Sequence, residues 1–234
     1  KNLIILSNFL SKHIKQLTLI TFDDSFNKNF SKKIEIINYK KKTNKNFSKY
    51  FKYLVCLFIL AKEIIKNRKT SVFSFQANIY CLILSQILQF KVIIRSNSAP
   101  QGWTENFFKK MIFKTFFKFA EKIIVNSKDF KKEIDKEYNI KSVAIYNPLN
   151  IKEIKKKSKE KVNIDFFKSQ NTLKIINIAR FTDQKDHITL LKAFRKISKK
   201  IKTKLLIMGY GANKKIINNF ILNNKLKKII KVIP

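Results

Sequence analysis

Ile178-Ala179-Arg180-Phe181-Thr182-Asp183-Gln184-Lys185-Asp186-His187 reads as the end of a strand, a short polar loop and the first turn of a helix. The strand occupies 173–178, where apolar β-branched residues dominate, and the helix occupies 186–199, with Leu190, Leu191, Phe194 and Ile197 on one face. A strand over 204–208 follows, then the turn Gly209-Tyr210-Gly211, a helix over 214–226 and a strand opening at 229–233. Strands alternating with helices imply a parallel sheet, and ligands of such sheets sit at the carboxyl ends of the strands. Arg180 and Lys185 put two positive charges there, beside a helix N-terminus, which suits a diphosphate. The guanidinium supplies a fork and the ammonium a point charge. Gly209 and Gly211 permit a tight turn and are expected to leave room for a ligand against the main chain.

The same alternation runs back to the start of the chain. A helix is expected over 2–13, strands over 17–22 and 33–39, a long helix over 47–66, a strand over 71–75, a helix over 78–88 and a strand over 91–95. A Pro/Gly loop at 98–102 leads to an aromatic-rich helix over 105–120 and a strand over 122–125. Asn126 or Ser127 then caps a helix with Asp129 in its first turn, and a strand over 142–146 ends at Asn147-Pro148. Lysines crowd 152–161, and the shift in composition over 149–171 marks a linker or surface helix. The expected organisation is two Rossmann-like, doubly wound α/β domains, 1–148 and 172–234, joined by 149–171.

Composition points less sharply. The 51 Lys and Arg against 15 Asp and Glu give a formal charge of +36, which favours anionic partners: nucleic acid, lipid head groups or phosphorylated substrates. Arg occurs only at positions 68, 95, 180 and 195, whereas reading of base edges leans on the guanidinium fork. A basic nucleic-acid-binding α/β protein is therefore the alternative reading rather than the first, since Phe113, Phe116 and Phe117 have core-like helical spacing instead of forming a stacking platform. A compositional bias toward lysine explains much of the charge, yet it still draws the chain to an anionic membrane surface. Cys56 and Cys81 lie in apolar runs without metal-ligand spacing and read as buried, reduced thiols, in keeping with a cytoplasmic protein. The longest apolar runs, 53–61 and 79–90, are shorter than the roughly 20 residues that cross a bilayer, so membrane contact is expected to be peripheral. His187 reads as a local cap or surface residue and His13 as structural, with neither a catalyst.

Ala179-Arg180, Gln184-Lys185 and the helical Leu190-Leu191-Lys192-Ala193-Phe194, followed by Gly209-Tyr210-Gly211, resemble in order and spacing the donor-binding half of glycosyltransferase family 4, which has the GT-B fold. Arg95-Ser96-Asn97-Ser98-Ala99-Pro100 is similar to a loop of members that build lipid-linked and surface polysaccharides. Ile123-Ile124-Val125-Asn126-Ser127 and Tyr146-Asn147-Pro148 resemble two further landmarks. Ala179 stands where the family more often has glycine.

The resemblance implies a retaining hexosyl- or N-acetylhexosaminyltransferase that needs no metal or cofactor. It would move a sugar from a nucleotide-diphosphate-sugar donor to a saccharide or lipid-linked acceptor. Arg180 and Lys185 would be its catalytic, donor-binding cations, Gly209 and Gly211 would complete the donor site, and Arg95 and Asn97 would face the acceptor. It also implies a strand and glycine-rich turn ahead of this sequence and a donor-contacting glutamate pair after it. The 234 residues alone are accordingly expected to be inactive.

Overall fold

A computed structural model describes residues 2–40, 47–97, 107–161, 164–168 and 171–234. The chain forms two compact units, Lys1–Lys155 and Lys156–Pro234, and the division falls within the 149–171 segment.

The first unit opens with α1 (Asn2–Leu10), β1 (Thr18–Asp23) and β2 (Glu35–Lys40), whose strands pair in parallel from Thr18 opposite Glu35. Helix α1 is shorter than the 2–13 expected. The Ser11 hydroxyl donates to Asn8 O at 3.1 Å, and the chain turns there. Helix α2 (Lys49–Lys66), capped by the Ser48 hydroxyl accepting from the Phe51 amide at 3.2 Å, leads into a second sheet. That sheet holds β3 (Ser71–Ser74), β4 (Lys91–Ser96), β5 (Lys122–Val125) and β6 (Ser142–Ala144), all parallel in the order β3-β4-β5-β6.

Its crossovers are α3 (Asn78–Leu88), α4 (Phe107–Phe116) and α5 (Lys128–Tyr138). The expected helix over 105–120 gives way after Phe116 to a single tight turn, Phe117–Phe119. This turn sinks Phe117 to 1% exposure, edge-on to Phe113 and Tyr138. Ser127 caps α5 by accepting from the Phe130 amide at 3.1 Å. Leu82, Ile94, Val125 and Ile134, all fully buried, anchor the core between sheet and helices. Both cysteines are free, Cys81 buried and Cys56 half-buried, and burial raises the pKa of each thiol.

Helix α6 (Ile151–Lys157) carries the first of the crowded lysines. The second unit then orders β7 (Leu173–Ile178), β8 (Thr203–Met208) and β9 (Ile230–Ile233) as a parallel sheet, β7-β8-β9. Helices α7 (His187–Ser198) and α8 (Lys214–Asn223) bury Leu191, Phe194, Ile217 and Ile221 against Leu205 and Ile207 on one face of that sheet. Ile176 and Ile178, on the opposite side of β7, are 51% and 75% exposed. The architecture is the Rossmann-like α/β arrangement read from the sequence.

Candidate functional site

In the second unit the loop after β7 and the turn after β8 are locked together at the carboxyl edge of the sheet. The ladder continues past the strands: Ala179 N–H donates to Met208 O at 3.1 Å, Phe181 N–H to Tyr210 O at 2.8 Å, and Asn213 N–H to Phe181 O at 3.0 Å. The Asn213 side chain adds a fourth tie, its Nδ2 donating to Asp183 Oδ1 at 2.8 Å. Gly209 and Gly211 make this approach possible. A Cβ on Gly209 would lie 1.9 Å from Ala179 O, and one on Gly211 would lie 2.4 Å from Phe181 O. Both have positive φ, +154° and +149°. The space expected to admit a ligand at the missing side chains is therefore filled by the β7 loop itself. The glycines shape the site by letting that loop close on the β8 turn.

Because Phe181 is fully buried beneath the loop, its neighbour Arg180 projects into solvent. Lys185 is exposed as well, in the single turn Asp183–Lys185 that precedes α7. Among the described residues neither cation forms an ion pair or side-chain hydrogen bond, while the two nearby carboxylates are occupied. Asp183 accepts from Asn213, and Asp186 caps α7 by accepting from Thr189 N–H at 3.2 Å. Hydrogen bonds from Thr189 hold the Asp186 carboxyl below its usual range. Asp186 adopts the left-handed conformation, φ 41° and ψ 55°, a strained geometry for a residue with a side chain. The loop thus mounts Arg180 at the end of β7 and Lys185 just ahead of the N-terminus of a twelve-residue helix.

His187 differs from its reading as a cap or surface residue. Asp186 performs the capping, and His187 is 3% exposed, edge-on to Phe181 at 5.1 Å. Neither imidazole nitrogen, nor the buried Thr182 hydroxyl, has a hydrogen-bond partner among the described residues. Burial pushes the His187 pKa below its ordinary value, against the pull of Asp186, and so favours the neutral ring. The signal was present in the sequence, since 187, 191 and 194 share one buried helix face. Lys214 was also overlooked. It opens α8 beside Gly211, and no acidic residue offsets it in the first turn.

In the first unit, Arg95 was expected to face an acceptor and instead is 3% exposed. Its Nη2 donates to Ile145 O at 3.1 Å and Asn147 Oδ1 at 2.9 Å, its Nε donates to Asn97 Oδ1 at 3.3 Å, and the guanidinium lies 6.0 Å from the centre of the Phe75 ring. Desolvation lowers its pKa without making it neutral. The contacts tie the end of β4 to the segment after β6, which is a structural role. Asn97 is exposed, with its side chain on Arg95 and its carbonyl accepting from Asn126 Nδ2 at 3.2 Å. Ser98, Ala99, Pro100 and Gly102 lie outside the described residues. Among the described residues no group of three or more His, Cys, Asp or Glu side chains is placed to hold a metal ion, and no helix is long and apolar enough to cross a membrane.

The sequence matches no family model and no curated protein. The fold does have counterparts among solved structures. HepE of Anabaena in complex with UDP superimposes with a TM-score of 0.68 at 11% identity, over 100% of this chain and 65% of HepE. A glycosyltransferase from Rickettsia africae ESF-5 gives 0.65 at 18% identity, over 99% of this chain and 63% of that one. The apo form of the lipopolysaccharide outer core galactosyltransferase WaaB gives 0.59 at 12%, over 99% and 62%. The chain therefore spans just under two-thirds of the length of these structures, and over that span its fold is the one they share.

Proposed function

We propose that the protein transfers a sugar from a nucleotide-diphosphate-sugar to a saccharide or lipid-linked acceptor at the cytoplasmic membrane face. The observation that carries this reading is the pair of cations, Arg180 and Lys185, without an ion pair among the described residues and on a loop locked at the carboxyl edge of a parallel sheet. In the reaction the bond between the sugar's anomeric carbon and the diphosphate oxygen breaks. An acceptor hydroxyl oxygen bonds to that carbon and passes its proton to the departing diphosphate. Negative charge grows on the departing diphosphate, and Arg180 and Lys185, carried on the locked loop, stabilise it. Retention of anomeric configuration and a hexosyl or N-acetylhexosaminyl donor follow from the family resemblance. HepE, solved with UDP, and a pneumococcal O-GlcNAc transferase, solved with UDP and GlcNAc, make UDP the first nucleotide to try.

Calorimetry of UDP, GDP and ADP with the full-length protein tests the reading, alongside its Arg180→Ala/Lys185→Ala variant. Binding of one nucleotide that the double substitution removes is the expected result. Equal binding by both proteins would place the donor elsewhere.

A further inference from the structure

A polar group buried without a partner costs free energy, and its presence asks for a reason. The loop that carries Arg180 and Lys185 closes over such groups. His187, 3% exposed at the start of α7, has no hydrogen-bond partner at Nδ1 or Nε2 among the described residues, and neither has the buried Thr182 hydroxyl. The ring meets Phe181 edge-on at 5.1 Å. Phe181 is the residue held from both sides, its N–H donating to Tyr210 O at 2.8 Å and its carbonyl accepting from Asn213 N–H at 3.0 Å. The imidazole therefore props the residue through which the β7 loop is tied to the β8 turn. On the inner side of α7, Leu191 and Phe194 pack with Leu205, Ile207 and Ile217, all apolar. The charged groups of the elements that meet here are Arg180, Asp183 and Lys185 on the β7 loop, Asp186 and Lys192 on α7, and Lys214 and Lys215 opening α8. Of these, Asp186 draws a proton toward the ring, but its carboxylate already accepts from Thr189 N–H, and Asp183 accepts from Asn213.

We infer that His187 is a positioning residue for this loop: with its ring neutral the loop closes on the β8 turn and holds Arg180 and Lys185 at the sheet edge, and a proton taken up by the ring opens it. An imidazolium in this place is a buried cation without a hydrogen-bonded counter-ion, and it reaches water only outward, by displacing Phe181 and its two backbone ties. A bound diphosphate attracts the added charge, but across an exposed loop that attraction is screened, whereas the burial penalty is not. Closure thus excludes the proton, and the proton opposes closure. The closed loop keeps the His187 pKa below its open-loop value, so closure is fully favoured above about pH 6.5 and is lost as pH falls. An anion that binds the closed loop is coupled to the same proton.

The chain has 2 histidines, so isotope labelling of their rings in the full-length protein resolves His187 by NMR, with the exposed His13 as reference. The His187 titration midpoint should lie below that of His13. Protection of the Phe181 and Asn213 amides, corrected for the intrinsic exchange rate at each pH, should fall several-fold between about pH 7.5 and 5.5, up to the roughly tenfold that one proton with an unperturbed pKa near 6.5 allows. In His187→Leu it should stay level, since leucine takes up no proton; should that variant fail to fold, the two titrations in the parent still decide. UDP-glucose, whose diphosphate keeps its charge over this range, supplies the arm that rests on the sugar-transfer reading. At roughly ten times its Kd it should lower the His187 midpoint by about one pH unit, because it binds the closed loop. The charge of a nearby anion acting alone would raise that midpoint. A His187 midpoint at or above that of His13, parent protection that ignores pH, an equal fall in His187→Leu, or a midpoint raised by UDP-glucose would each overturn the inference. A parent that binds no UDP-glucose yet shows the His187-dependent fall in protection would count against the donor reading and uphold the proton-coupled loop.

Discussion

Gly209→Ala tests whether the two loops at the sheet edge are truly interlocked. The new Cβ would start 1.9 Å from Ala179 O, far inside any normal contact, and a tight 3.1 Å from the Phe181 ring, so the loops must part by more than an ångström. Parting breaks the Phe181–Tyr210 and Ala179–Met208 backbone bonds, now 2.8 and 3.1 Å, at about 1 kcal/mol each. Holding φ near +154° with a side chain adds roughly 1–3 kcal/mol. The sum, about 3–5 kcal/mol, is a large part of what a small unit has to spare. Hydrogen-exchange mass spectrometry reads it locally: amides over 173–186 should exchange at least about a hundredfold faster, with 122–144 unchanged. Tyr210→Ala is the control. Its side chain is 72% exposed and only its carbonyl joins the ladder, so it should stay within about 0.5 kcal/mol of the parent. If Gly209→Ala exchanged as slowly as Tyr210→Ala, the interlock and the stiffness claimed for the Arg180 mount would both be wrong.

Arg95→Ala should destabilise the first unit by about 2–4 kcal/mol in denaturant titrations, because it orphans Ile145 O and Asn147 Oδ1; UDP binding by the still-folded fraction should be unchanged. Asp135→Ala removes the acceptor for Ser142 N–H, 2.8 Å away, and the partner of Lys131, and should lower stability by about 1–2 kcal/mol, where Asp135→Asn recovers part of it. His187 has a folded-state pKa below its unfolded value of about 6.5. Its contribution is therefore fully present above that pH and lost as pH falls, so urea midpoints of the second unit should drop between pH 7.5 and 5.5. A His187→Leu variant should show a shallower slope.

The elements were legible because parallel α/β units announce themselves by period. Strand β7 and helix α3 fall at the residues their apolar patterns mark, 173–178 and 78–88. What the pattern does not carry is where a local bond outcompetes the helix, as Ser11 does at the end of α1, or where a ring must be buried, as Phe117 is at the break after α4. Arg95 was misplaced for a related reason. A charged residue next to Val92 and Ile94 looks like the exit from a buried strand, and its partners lie some 50 residues away in sequence, where no local signal points to them. The site itself was half legible. Arg180, Lys185 and the glycines stood out by type and spacing, but that the glycines receive a backbone and not a ligand depends on loop-to-loop distances that only the fold supplies.

That distinction separates Arg180 and Lys185 from the other cations of a lysine-rich chain. A lysine on a solvated helix carries the same charge, but it stands neither at the end of a parallel strand nor ahead of a helix N-terminus, where an anion meets further favourable partial charge. On the β7 loop the backbone is already fixed from both sides, by Met208, Tyr210 and Asn213 across the ladder and by the Asp186 cap ahead of α7. The nearby carboxylates are turned to that structural work and, among the described residues, form no ion pair with either cation. Preorganisation of this kind, rather than total charge, is what a departing diphosphate rewards. It follows that removing charge from the loop is more damaging than removing it elsewhere: Lys192→Gln and Lys196→Gln on the exposed side of α7 should leave nucleotide binding within about twofold at physiological salt, where screening limits distant exposed charges. Lys185→Gln alone, on the locked loop, should weaken it at least tenfold, and equal effects from the two sites would reduce the loop to one patch of a uniformly basic surface.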